Sequence, residues 1–182
     1  MISTENVINQ TRKWITDVVV GCNLCPFAAR EMSRETVRYK VVEEIAEDLC
    51  LQAFLDECLY LDGHPETETC LLIFSRAFPG FMDYLDIVSL AEELIETEGY
   101  EGIYQVASFH PDYLFEGAPA NDAANYTNRS PYPMLHLLRE KSIEIALEYY
   151  SGDPEDIPIR NMQFAREKGL IYMKMLRDNC LK

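Results

Sequence analysis

Alternating strand-like and helix-like segments place this 182-residue chain in the α/β class, with a small, mainly parallel sheet of three or four strands flanked by helices. Three observations lead there. Thr69 to Ser75 (TCLLIFS) is a nearly continuous apolar run, the pattern of a central strand covered on both faces. Thr36 to Val42 alternates and is β-branched, and Gly102 to Phe109 is a third strand-like run. Between them lie segments of helical period. The alternative is an α+β sandwich with an extra antiparallel strand around Asp112 to Glu116, after a turn at His110-Pro111.

The elements follow in order. Thr4 is the expected N-cap of a first helix reaching about Val20, because Val7, Thr11, Trp14, Ile15 and Val18 recur at helical spacing and Gly21 stops it. Pro26 opens a short helix through Met32. After the first strand, Ile45, Leu49, Ala53, Phe54 and Cys58 mark a helix ending near Leu61, and Asp62-Gly63-His64-Pro65 reads as a turn. Beyond the second strand, Pro79-Gly80 precedes a helix carrying Tyr84, Ile87, Ala91 and Ile95. A long non-periodic stretch follows the third strand. A helix is expected from Ser130–Pro133 to Tyr150, and then a last helix weakened in its middle by Gly169.

Length and an apolar fraction of 48% fit one domain over residues 1–182. No run approaches the roughly 18 apolar residues of a membrane span, and Met1 to Asn6 lack the basic start of a secretory leader, so a cytoplasmic location is expected. The net charge of −15, with 31 acidic against 16 basic residues, argues against nucleic acid or an anionic membrane as partner. A small anionic molecule remains compatible, and the apolar, Met-containing last helix would suit a homodimer. The chain is too long, too core-rich and too free of export signals for its six cysteines to read as a disulfide framework, and Cys50, Cys58 and Cys70 fall inside apolar patterns.

The densest chemistry lies between His110 and Arg139. A loop of this length is uncommon unless functional or disordered, and Tyr113, Phe115, Tyr126 and Tyr132 give it anchors to bury. Ser130 before Pro131 has the form of an N-cap with proline at the first helical position. Such a terminus presents free N–H groups to an anion. Arg129, His136 and Arg139 would stand close by, the last two sharing a helix face. His110 follows the third strand and Arg76 the second, so parallel strands would put both on one rim, where open α/β sheets bind ligands. Cys22-Asn-Leu-Cys25-Pro forms a C-x-x-C. Cys25 could be a thiolate at a helix start, while the lack of a second pair argues against a zinc or cluster site.

Gly21-Cys-Asn-Leu-Cys-Pro-Phe-Ala, Val106-Ala-Ser-Phe-His-Pro-Asp-Tyr-Leu-Phe-Glu-Gly and Asn125-Tyr-Thr-Asn-Arg-Ser-Pro-Tyr-Pro-Met-Leu-His-Leu-Leu-Arg-Glu resemble an uncharacterised family of bacteria and plant plastids, a domain of unknown function. The likeness spans nearly the whole chain. It implies a stand-alone small domain with hallmark positions at Cys25, His110, Asp112, Asn125, Asn128, Arg129, Ser130 and His136. The family pattern often has an aliphatic residue in place of Cys22, which speaks against a two-cysteine redox mechanism.

These readings converge on an enzyme for a small anionic metabolite. His110 would be its acid or base, oriented by Asp112, with Cys25 a possible nucleophile. Asn125, Asn128, Arg129, Ser130, His136, Arg139 and Arg76 would bind substrate. One alternative is a metal-dependent hydrolase using His110, Asp112 and His136. The other is a sensor or interaction module that binds a small ligand without chemistry. The sequence names no cofactor.

Overall fold

A computed structural model describes residues 2–182. Strand β1 (Val37–Val42) pairs in parallel with β2 (Thr69–Phe74), whose six residues are all buried, as its apolar run requires. Strand β3 (Tyr104–Phe109) does not touch β2. Strand β4 (Met134–Arg139) lies between them, antiparallel to both, giving the order β1-β2-β4-β3. The sheet is therefore mixed and mostly antiparallel, which overturns the mainly parallel sheet expected from the sequence.

The cause is local. Met-Leu-His-Leu-Leu-Arg, expected to lie in a helix from Ser130–Pro133 onwards, is β4, and helix α5 (Glu140–Glu148) begins only after it. Pro131 and Pro133 lead into a strand, so Ser130 caps no helix. The alternative extra strand at Asp112 to Glu116 is irregular backbone between two turns. Because β4 opposes both neighbours, β2 and β3 still run the same way. Their carboxyl ends share a rim with Arg76 and His110 just beyond.

Helices α3 (Glu47–Gly63) and α4 (Phe81–Thr97) cover one face, enclosing Val42, Cys70, Leu72, Phe74, Leu135 and Leu137. Helix α1 (Thr4–Trp14) lies on the other, placing Val7 and Trp14 over Leu71, Ile73 and Met134. Its N-cap is Ser3, whose Oγ accepts the Asn6 N–H at 3.2 Å, rather than Thr4. The chain continues as a π-helix over Ile15–Val20. At its end a Cβ on Gly21 would lie 2.3 Å from the Asp17 carbonyl oxygen, so only glycine fits. Helix α2 (Ala28–Ser33) and α5 complete this layer, yet neither contains a buried residue. Gly169, at φ 84°, divides the expected last helix into α6 (Asp156–Lys168) and α7 (Leu170–Asn179), which pack through Ala165 and Met173 on Tyr126 of a 3₁₀ turn, Ala123–Thr127.

Two polar clasps join the layers. The Tyr84 hydroxyl donates to the Met134 carbonyl at 2.6 Å and accepts the Phe109 N–H at 3.0 Å, tying α4 to the paired ends of β3 and β4. Arg139 donates to the carbonyls of Leu61 (2.6 Å), His64 (3.1 Å) and Thr67 (3.0 Å), adding to the turn bonds that Leu61 and His64 already accept from backbone N–H groups where α3 ends. Replacing Tyr84 by Phe strands a buried acceptor and donor, so urea unfolding is expected to show a loss of about 1–3 kcal/mol; an unchanged midpoint would show that the clasp contributes nothing.

Candidate functional site

The polar residues of the 110–130 loop spend their hydrogen-bonding capacity inside the loop and on its neighbours. His110 is wholly buried against Phe81 and Tyr84. Its Nε2 lies 3.0 Å from the Phe78 carbonyl and so must donate, while Nδ1 accepts the Asp112 N–H at 2.9 Å. Both ring nitrogens are thus committed to a neutral imidazole, and burial lowers its pKa. The Phe78 carbonyl is presented from a left-handed backbone, φ 55°. Asp112 meets His110 only through its backbone, and its side chain is exposed.

The neighbouring groups behave alike. Asn125 is fully buried, accepts the Phe115 N–H and donates to the Pro119 carbonyl, both at 3.0 Å. Asn128 donates to the Ser108 carbonyl. Arg129 lies over the Tyr126 ring and donates to the carbonyls of Tyr113 and Ala120. Ser130 donates to the Tyr132 carbonyl at 2.5 Å. The helix-terminus anion site expected at Ser130 is corrected here, since no helix starts there. His136 and Arg139, expected on one helix face, stand on opposite faces of a strand. Arg76 is exposed at the rim, without an ion-pair partner among the described residues. Among the described residues no three His, Cys, Asp or Glu side chains group as metal ligands, so the set His110, Asp112 and His136 is not assembled.

The structure instead opens a cavity of about 350 Å³ between the sheet and the layer of α1, α2 and α5. Leu71, Ala107, Phe109, His136 and Leu138 form its floor. Trp14, Ile15 and Val19 form one wall, Ala28 and Met32 of α2 another, and Ile143 and Ala146 of α5 a third. Its origin is in the sequence: small side chains at Ala28, Ala107 and Ala146 meet two helices that bury nothing completely. The π-helix supplies Ile15 and Val19, and such turns are frequent at functional sites. Cys25 lies on the wall as a free, partly buried thiol, whereas Cys22 packs into the core, where burial raises its pKa. Polar side chains gather at the margin, where Glu68 accepts from Ser142 and Glu31 from Thr36, both at 2.6 Å.

His136 is the one imidazole of the cavity, and its tautomer follows from its partner. The Thr69 hydroxyl has a single proton, which it gives to the Leu137 carbonyl at 2.7 Å, so at 2.6 Å it can only accept from His136 Nε2–H. Nδ1 is then an unprotonated acceptor without a partner among the described residues. Burial pushes the pKa of this ring down to about 4. The Trp14 indole N–H, from a wall residue, is buried and also lacks an acceptor among the described residues. Sequence reasoning named His136 and Cys25 but not Trp14, Thr69 or Ala107. The lone tryptophan in an amphipathic helix was the available signal for Trp14, and Thr69 and Ala107 gave none.

A mixed four-stranded sheet with a one-histidine apolar cavity beneath an incomplete helical layer defines the class of α/β protein. The chain belongs to the family described as protein of unknown function (DUF1415), which matches residues 6–175. No curated protein and no solved structure matches it.

The ring chemistry has a measurable consequence. An unfolded histidine titrates at about 6.5, whereas His136 titrates at about 4 in the fold. Between these values the unfolded chain holds the extra proton, so stability is full above pH 6.5 and declines as the pH falls towards 4. The His136 Cε1–H resonance is expected to follow the lower pKa, and a His136→Leu variant should lose less stability over that interval. Titration of the wild-type ring at 6.5 would contradict its enclosure.

Proposed function

We propose that this protein binds a small, uncharged, largely apolar molecule in the sheet-face cavity, and that the ligand donates one hydrogen bond to His136 Nδ1. The observation that carries the reading is this lone pair, held in place by Thr69 on the floor of an otherwise apolar space. Ligand sites commonly combine an apolar lining with a few oriented polar groups, and protein cores seldom keep voids much larger than a water molecule.

Charge favours a neutral ligand. His136 is uncharged at neutral pH, Glu31 and Glu68 stand at the margin, and the guanidinium of Arg139 turns to the carbonyls at the end of α3. Nothing in the lining offsets the desolvation of an anion. Binding is also favoured over proton abstraction, because a base with a pKa of about 4 is poorly matched to work near neutrality. The wall position of Cys25 makes it a reporter of occupancy by its rate of alkylation.

Trp14 is the only tryptophan, so its emission reads the cavity directly. Benzyl alcohol and toluene are expected to shift that emission, the alcohol binding about fivefold more tightly through its hydrogen bond, while benzoate has no effect. His136→Leu should abolish the preference and keep toluene binding. Ala107→Leu, which fills space beside the imidazole, should abolish both without loss of unfolding stability. Emission unmoved by all three compounds, or preferential binding of benzoate, would refute the reading.

A further inference from the structure

A second surface, which shares only Val37 with the cavity lining, lies at the free edge of the sheet. Strand β1 is terminal and has only β2 as neighbour. The Thr36 and Val42 carbonyls accept from the Glu68 and Ser75 N–H groups, so the even-numbered residues of this stretch face β2. By the alternation of a strand, Val37, Tyr39 and Val41 turn their N–H and C=O groups outward. None of these groups has a backbone partner among the described residues. Unpaired edges of this kind template the addition of another strand.

A cleft of about 310 Å³ lies along this edge. On one face of the strand, Arg12 lies over the Tyr39 ring at 4.8 Å; on the other, Arg38 lies over Tyr60 at 3.6 Å. Arg38 is held by Glu57 through Nε and Nη2, whereas Arg12 has no ion-pair partner among the described residues. Glu35 is the one acid in the lining. The setting is unusual for this chain. Residues 12–40 hold six Lys and Arg against three acids, while residues 41–101 hold 16 acids and one arginine, Arg76. With Arg12 and Arg38 in the lining and Lys40 on the same strand, the edge is locally basic on an acidic molecule.

We infer that the free edge of β1 docks an extended peptide segment of a partner protein, one that pairs its backbone with Val37, Tyr39 and Val41 and sets acidic side chains against Arg12 and Arg38. Strand addition supplies affinity through main-chain bonds, and flanking side chains select the sequence. A second copy is the poorer occupant, because edge-to-edge pairing of β1 with itself about a twofold axis would bring Arg12, Arg38 and Lys40 against their own copies.

The test uses the ¹⁵N-labelled full chain and a capped hexapeptide with two adjacent glutamates between valine pairs, so that strand alternation sets one glutamate on each face. The Val37, Tyr39 and Val41 amides are expected to shift and to exchange more slowly. A lysine-for-glutamate peptide, a peptide N-methylated at its valines, and the exposed-site variant Arg12→Glu should each weaken binding about tenfold or more. Equal binding of the lysine or N-methylated peptide would overturn the inference, as would the absence of shifts at these amides at millimolar peptide. Concentration-dependent shifts of the same amides without peptide would assign the edge to a second copy and also overturn it.

Discussion

A strand in the middle of a sheet must satisfy hydrogen bonds along both edges, and β4 does so between two strands that run in the same direction. The rest of the architecture follows from that placement. With β4 in register, Met134, His136 and Leu138 face the α1 side, and Leu135, Leu137 and Arg139 face α3 and α4. Thr69 at the start of β2 then reaches both the Leu137 carbonyl and the His136 ring. Arg139, on the other face, reaches the end of α3, and Tyr84 closes the far end of the pairing. A shift of one residue would exchange the faces, burying a guanidinium where the cavity floor now lies.

The loop from His110 to Ser130 serves the same constraint from outside. It is long and irregular, and much of it is covered, so its peptide groups need partners that no regular ladder provides. Asn125, Asn128, Arg129 and His110 supply them, donating to carbonyls or accepting backbone N–H groups. Arg177 of α7 adds a bond to the Pro111 carbonyl. Side chains able to bind a ligand in an open cleft here act as the loop's internal scaffold. The polar groups that mark this segment in sequence therefore have a folding explanation at His110, Asn125, Asn128 and Arg129.

Much of the fold was legible because its signals are local. TCLLIFS needs cover on both faces and receives it, and the helical spacing of Cys50, Phe54, Cys58 and Leu61 in α3 and of Tyr84, Ile87, Ala91 and Ile95 in α4 fits a single face of the sheet. Strand β4 was not legible, since Met-Leu-His-Leu-Leu-Arg is apolar nearly throughout and fits a helix as readily as a doubly covered strand. What decides it is pairing with Thr69–Ile73 and Tyr104–Phe109, a non-local contribution that overrides intrinsic preference. The cavity was hidden for a related reason. Ala28, Ala107 and Ala146 lie far apart in the chain, and only the assembled layers show that three small side chains share one space. His136 and Cys25 drew notice for their chemistry, while the geometry that relates them to this space came from elsewhere.

The incomplete layer also bears on how a ligand would reach the floor. On the α3 and α4 face, buried side chains interlock with the sheet, and parting them would expose a large apolar area. Over the cavity, α2 and α5 have no buried residue to withdraw. Helix α5 is fixed at its start, where the Glu140 N–H bonds the Ile103 carbonyl and Arg139 is locked beneath it. Beyond its far end, Tyr150 meets Phe27 edge-on at 6.1 Å, and the Ser142–Glu68 bond lies nearer the fixed end. Swinging such a helix about its anchored end costs far less than unfolding the domain, because local openings draw on the elements with the fewest buried contacts. In the proposed binding role, the sheet would hold His136 from below while the covering helices yield, which would separate positioning of the acceptor from admission of the ligand.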